Sequence, residues 1–184
     1  MCGIIGIIKY TADESMVNLL LNGLKKLEYR GYDSSGITII DDKKAFVTEK
    51  SIGNVDLLIQ SIKNKSVPGK IGIGHTRWAT HGKISKLNTH PHCDGDIAVV
   101  HNGKIDNYQS LLNDHDIKEL ESETDSAIIP FLINHYIKDG LSFYEATLKL
   151  YKQLNGMYSF LAIRSKTGEV IALNNGLSLL IGTN

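Results

Sequence analysis

Met1-Cys2-Gly3-Ile4-Ile5-Gly6-Ile7-Ile8-Lys9 opens the chain and is apolar from its second residue. A short apolar run of this kind reads as a buried strand, here over residues 3–9. Outward from it, Val17, Leu20, Leu21, Leu24 and Leu27 recur at helical spacing within residues 14–29. Thr11 and Glu14 have the spacing of a capping box for that helix. Residues 36–41 and 44–50 read as two strands joined by an Asp41-Asp42-Lys43 turn. A second helix starts at Asn54, with Val55, Leu58, Ile59 and Ile62 on one face, and short strands at 71–76 and 96–101 each run into a polar motif. A short helix follows at 106–113. A longer one begins near Thr124, with Pro130 expected to kink its first turns. Ser142 and Glu145 mark a capping box before a helix carrying Phe143, Ala146, Leu148 and Leu150. Residues 157–164 and 170–173 form a hairpin around Lys166-Thr167-Gly168, and 177–182 is a last strand-like run. Strands arrive in adjacent groups with helices grouped between them. That pattern predicts a layered α+β sandwich and argues against a doubly wound parallel sheet.

Length and composition set the outer bounds. The 184 residues suit one domain, and they are enough to bury a core without disulfides or metals. Apolar residues make up 42% and charged residues 22%, as in ordinary globular chains. Lys+Arg and Asp+Glu each number 20, so the basic excess of a nucleic-acid or membrane-surface binder is missing. No apolar run approaches the ~20 residues of a membrane span. The start lacks the basic region and cleavage site of a secretory signal, and two cysteines 91 positions apart make no disulfide framework. A reducing, cytoplasmic location is therefore expected. Arg30, Arg77 and Arg164 are the only arginines. Arg30 and Arg77 lie in Gly-, Asp- and His-rich segments, where a planar bidentate donor has a use that lysine lacks.

Four segments could carry chemistry. Loss of Met1 would leave Cys2 with both a free α-amine titrating near ~8 and a thiol near ~8.5, a base and a nucleophile on one residue. The plain alternative is a strand-start cysteine with no role. Gly74-His75-Thr76-Arg77-Trp78-Ala79-Thr80-His81-Gly82 follows a strand; Arg77 can fork a carboxylate, Thr80 can add a donor, and Trp78 can shield a site from water. The alternative is a polar loop anchored by one tryptophan. Val99-Val100-His101-Asn102-Gly103 ends a strand in Asn-Gly, which is either a hairpin turn or an oxyanion hole built from the Asn102 amide and the Gly103 N–H. Acidic residues in Glu121-Ser122-Glu123-Thr124-Asp125 either complement a helix dipole or hold a substrate ammonium. His75, His81, His90, His92 and Cys93 have no metal-ligand spacing, so neither a metal site nor a cofactor is expected.

Six motifs in order carry a resemblance. They are Met1-Cys2-Gly3-Ile4-Ile5-Gly6, Leu27-Glu28-Tyr29-Arg30-Gly31-Tyr32-Asp33-Ser34, His75-Thr76-Arg77-Trp78-Ala79-Thr80-His81-Gly82, Asn88-Thr89-His90-Pro91-His92, His101-Asn102-Gly103 and Ser122-Glu123-Thr124-Asp125. Together they resemble the glutaminase domain of glucosamine-6-phosphate synthases, within the N-terminal-nucleophile glutamine amidotransferases. The resemblance implies a four-layer αββα sandwich and one glutaminase domain over residues 1–184. It implies that Cys2 attacks the side-chain amide of L-glutamine, with its own α-amine as base and Asn102 and Gly103 holding the oxyanion. Arg30 and Gly31 would position the nucleophile's backbone. Arg77, Thr80 and His81 would hold the substrate carboxylate, and Asp125 its ammonium. Trp78 would gate a path for ammonia. The released ammonia would serve glucosamine 6-phosphate synthesis in a sugar-isomerase domain, in the same or a separate chain. Relatives carry that domain and a longer glutaminase edge, so the carboxy-terminal edge here is expected to be truncated. A catalytically silent glutamine- or partner-binding module is the alternative, if truncation or a retained Met1 disables the site.

Overall fold

The computed structural model describes residues 2–63, 65, 67–80 and 82–183, and the strand groups read from the sequence form two antiparallel four-stranded sheets. The first contains β1 (Gly3–Asp13), β2 (Ser34–Ile40), β3 (Phe46–Ile52) and β4 (Gly69–Arg77), in the order β1-β4-β2-β3. The second contains β5 (His92–Asp94), β6 (Ile97–Gly103), β7 (Tyr158–Arg164) and β8 (Glu169–Asn175), in sequence order. Helices α1 (Ser15–Leu27) and α2 (Val55–Ile62) belong to the first half of the chain; α3 (Tyr108–Asp114), α4 (Ile128–Lys138) and α5 (Phe143–Tyr151) belong to the second.

The period-two alternation of β4 explains the layering. Its odd residues Ile71 and Ile73 meet Ala98 and Val100 of β6 and Leu161 and Ile163 of β7, which makes an apolar layer between the sheets. Its even residues Gly72 and Gly74 have no side chain. A Cβ on either would lie 2.7 Å from Leu20 Cδ1 or 3.1 Å from Leu24 Cδ1, so α1 seats directly on the strand. Met16, Leu20 and Leu24 of α1, Ile37 and Ile39 of β2 and Leu58 of α2 form the core on that side. On the far side, Ile97 and Val99 of β6 and Phe160 of β7 pack against Leu132 and Tyr136 of α4 and Phe143 of α5. The result is a four-layer αββα sandwich. Among the described residues, no helix is long and apolar enough to cross a membrane.

The helix caps at Asn54 and Ser142 form as expected: Asn54 accepts from Leu57 N–H, and Ser142 with Glu145 makes a complete capping box. Four expectations need correction. The first strand is an edge strand, not a buried one, and runs on to Asp13; past the contact of Gly6 with Leu161 its inner face loses cover, leaving Ile8 and Tyr10 in solvent. Because the strand is longer, Thr11 lies within it and makes no capping box; Asp13 Oδ1 instead accepts the Ser15 N–H at 2.8 Å. Pro130 is the third residue of α4, where an amide has no intrahelical acceptor to lose, and a 3-10 turn (Asp125–Ala127) leads into the helix. Residues 177–182 form no strand; after a single bridge between Tyr158 and Gly176, Leu180 and Ile181 are exposed.

Candidate active site

Strand register gathers the candidate residues at one end of the space between the sheets. Gly3 pairs with Thr76, and its N–H donates to Thr76 Oγ1 at 3.2 Å. A Cβ at Gly3 would lie 2.6 Å from that oxygen and 2.7 Å from Leu27 Cβ, so only glycine lets the strand approach this closely. Cys2 is thereby held beside the end of β4, next to Arg77 and Trp78. Opposite, β6 ends in Asn102 and Gly103, and Asn102 Oδ1 accepts from the Cys2 backbone nitrogen at 2.9 Å. Asn102-Gly103 is not a hairpin turn: the two residues pair with Ser159 and Tyr158 of β7. Gly103 has φ +129°, and a Cβ there would lie 2.2 Å from the Met157 carbonyl oxygen. The position demands glycine on both counts.

The Cys2 sulfur meets the Trp78 peptide, whose N–H donates to Sγ at 3.4 Å and whose carbonyl lies 3.8 Å away. Burial pushes the thiol pKa up; the Trp78 N–H and the Arg77 charge pull against it, and the Asp125 charge adds to the rise. The resting group is a thiol. Arg30 Nε donates to the Cys2 carbonyl at 3.4 Å. Gly31 lies against the Arg77–Trp78 backbone rather than against Cys2, since a Cβ on it would be 2.5 Å from the Arg77 carbonyl carbon.

Arg77 is buried, and its Nη1 donates to the Lys83 carbonyl at 3.1 Å. Trp78 is half-exposed, its indole edge-on to Tyr32 with 5.6 Å between centroids. Thr80 is exposed in the loop beyond, and His81 lies outside the described residues. Asn88 braces this loop: its Nδ2 donates to the Lys83 carbonyl and to Glu123 Oε2, while its Oδ1 accepts from Ser122 Oγ and Glu123 N–H. The brace joins the Arg77 loop to the segment carrying Asp125. Asp125 itself is half-buried, its Oδ2 accepting from Ile105 N–H at 2.8 Å. A wide surface depression of about 770 Å³, lined by residues that include Tyr29, Tyr32 and Leu57, flanks the site without including Cys2.

Four buried histidines form a connected set. His75 and His90 stack with ring centroids 4.0 Å apart, and His90 meets His92 edge-on at 4.3 Å. His75 Nε2 bonds the His101 carbonyl at 2.9 Å, His101 Nδ1 bonds Ser126 Oγ at 2.7 Å, and His92 Nε2 bonds Thr124 Oγ1 at 3.0 Å. These contacts tie the strands bearing Arg77 and Asn102 to each other and to the turn bearing Asp125. Burial keeps the four rings neutral, with His75 pushed down to about 3 and His101 to about 4. Among the described residues, no group of three or more His, Cys, Asp or Glu is placed to hold a metal ion.

Cys2, Arg30, Gly31, Arg77, Trp78, Asn102, Gly103 and Asp125 therefore lie together at one end of the two sheets. Asp33, Thr76, Asn88 and Ser126, and the histidines as a hydrogen-bonded and stacked set, have no role legible from the sequence alone. Asp33, Thr76, Asn88 and the four histidines lie inside the six ordered motifs, the one signal available; most of their partners are distant in sequence.

A family model described as a glutamine amidotransferase domain matches residues 75–179. The glutamine–fructose-6-phosphate aminotransferase (isomerizing) of Acinetobacter baylyi is 38% identical over 99% of this chain, and that of Neisseria meningitidis serogroup A is 42% identical over 98%. This chain spans 30% of the length of each. Two solved structures share the fold: a glutamine phosphoribosylpyrophosphate amidotransferase from B. subtilis (TM-score 0.74, 22% identity) and an allosteric regulatory enzyme of purine biosynthesis (TM-score 0.75, 24% identity). Each aligns with 90% of this chain, which covers 35% and 36% of theirs respectively. The chain belongs to the glutamine amidotransferase domain family.

Proposed function

We propose that the chain is a glutaminase domain that hydrolyses the side-chain amide of L-glutamine through a Cys2 thioester. One observation carries the reading: the Cys2 nitrogen is bonded to Asn102 Oδ1 while its sulfur faces the Trp78 peptide, within the electrostatic reach of Arg77 and Asp125. With Met1 removed, that nitrogen is an α-amine, and its bond to Oδ1 leaves the Asn102 Nδ2 group to serve as the donor. The amine takes the thiol proton, directly or through a water, and sulfur attacks the amide carbon. Asn102 Nδ2 and the Gly103 N–H stabilise the oxyanion; the ammonium returns its proton to the departing nitrogen and ammonia leaves. Water, deprotonated by the same amine, then attacks the thioester, releasing glutamate and the thiol.

Arg77, with Thr80 and His81, matches the substrate carboxylate, and Asp125 matches its ammonium. Arg30 holds the Cys2 carbonyl, and Gly31 lets the Trp78 turn lie close. The reaction needs no cofactor. The domain spans residues 1–184. By analogy with the aminotransferases it matches, its ammonia feeds glucosamine 6-phosphate formation from fructose 6-phosphate in a sugar-isomerase domain, on the same or a separate chain, in the cytoplasm; Trp78 gates its path. The test is ammonia release from L-glutamine by protein lacking Met1. A chain that binds glutamine and releases no ammonia is a silent binding module, and the proposal fails.

A further inference from the structure

We propose that Asp33 is a positioning residue for the nucleophile, fixing the Trp78 peptide whose N–H faces the Cys2 sulfur. The inference rests on the reading of Cys2 as nucleophile and extends it to a residue that touches neither sulfur nor substrate. Trp78 is bracketed by this single side chain and its backbone. On one side the Asp33 N–H donates to the Arg77 carbonyl at 3.0 Å; on the other, Asp33 Oδ2 accepts from the Ala79 N–H at 2.7 Å. The Asp33 carbonyl in turn accepts from Gly53 N–H at 2.8 Å, so the bracket is anchored to the end of β3. Gly31 completes the mould: a Cβ there would lie 2.7 Å from the Trp78 nitrogen, so the turn rests directly on it.

What the bracket holds is the donor at 3.4 Å from Sγ. A hydrogen bond to sulfur is weak while the group is a thiol and much stronger once it carries charge. The Trp78 N–H therefore favours the thiolate, which forms when the base takes the proton and again when the thioester breaks down. The indole contact with Tyr32 orients the side chain and leaves this peptide untouched. The donor is a backbone group that no ordinary substitution at Trp78 removes, so its contribution is read out at Asp33.

The experiment follows alkylation of Cys2 by iodoacetamide against pH, by peptide mass, in protein lacking Met1, with Cys93 as internal control. Iodoacetamide needs no glutamine site, so the pH midpoint of the rate follows the Cys2 thiolate without requiring substrate binding. Asp33→Ala is expected to slow Cys2 alkylation at pH 7 about tenfold and to move its midpoint up by about one pH unit, since thiolate fraction sets the rate. Asp33→Asn keeps an acceptor for Ala79 N–H and is expected to stay within about threefold of wild type, whereas Asp33→Glu keeps the charge, displaces the acceptor and is expected to behave like Asp33→Ala. The Asn and Glu variants carry the test even if Asp33→Ala does not fold. An unchanged alkylation profile in Asp33→Glu, with or without a lower melting temperature, overturns the proposal. So does a slow Asn variant beside a normal Glu variant, because charge and not placement would then matter. Wild-type protein that shows the expected alkylation pattern yet releases no ammonia from glutamine would sink the glutaminase reading and leave the Asp33 bracket standing.

Discussion

At the scale of single residues, Asn102 serves two ends of its amide at once. Its oxygen is taken by the Cys2 nitrogen at 2.9 Å, so its NH₂ is the group left to meet a developing negative charge. Asn102→Ala should lower kcat by roughly 10²–10³ with KM little changed, as expected for a donor used mainly in the transition state. A large KM rise with kcat intact would make Asn102 a ground-state binder. Arg77 makes the opposite prediction. It is buried with Nη1 donating to the Lys83 carbonyl, so Arg77→Lys keeps charge and loses the planar donor pair. Glutamine KM should rise about tenfold or more while kcat at saturation survives. Asp125→Asn should raise KM in the same way, and steady-state kinetics on both variants checks the assignment.

At the scale of elements, what was legible depended on how far the relevant contact reaches along the chain. The Ser142 capping box is a contact over three residues and could be read from spacing alone. Ser142→Ala should cost about 1 kcal/mol, seen as a fall of roughly 2–4 °C in Tm, with glutaminase activity unchanged because α5 lies on the far side of the second sheet. The Asn54 cap was legible for the same reason. The Thr11–Glu14 cap was misread because β1 runs to Asp13, and its length is set by pairing with β4, of which residues 3–9 hold no trace. Asn102-Gly103 left two readings open, a hairpin or an oxyanion hole; only its pairing with Ser159 and Tyr158 removes the hairpin. Asp33 and Asn88 illustrate the limit. Each braces a loop 35 or more residues away, at Ala79 and Glu123, and nothing local to either announces that partner.

The whole molecule is two helix-backed sheets whose interface is apolar at one end and carries buried polar groups toward the other. His75, His90, His92 and His101 are buried there and held neutral, chiefly by desolvation. Their folded pKa values lie below the unfolded value near ~6.5, so the unfolded chain binds more protons as pH falls. The stability they contribute is full above about pH 6.5 and is lost as pH drops toward their folded values. For His75, with a folded pKa of about 3, the loss reaches roughly 2 kcal/mol at pH 5. Urea melts should show stability falling steeply from pH 7 to pH 5. A flat profile across that range would mean that the rings are charged or hydrated in the fold.

One nitrogen decides the mechanism. With Met1 attached, the Cys2 nitrogen is an amide with no basic lone pair; with Met1 removed it is an amine that titrates near ~8, so activity should fall below about pH 7–8. The direct measurement is intact mass after incubation with an electrophilic diazoketone analogue of glutamine, made on protein with Met1 removed and on a form blocked from its removal, beside ammonia release from both. The processed form should gain one label, mapped to Cys2 and not to Cys93, and should turn glutamine over. The blocked form should fold with the same Tm and show little labelling or turnover. Equal labelling and turnover in the two forms, or labelling at Cys93 with Cys2 untouched, would contradict the N-terminal-nucleophile mechanism and return Cys2 to the role of a strand-start cysteine.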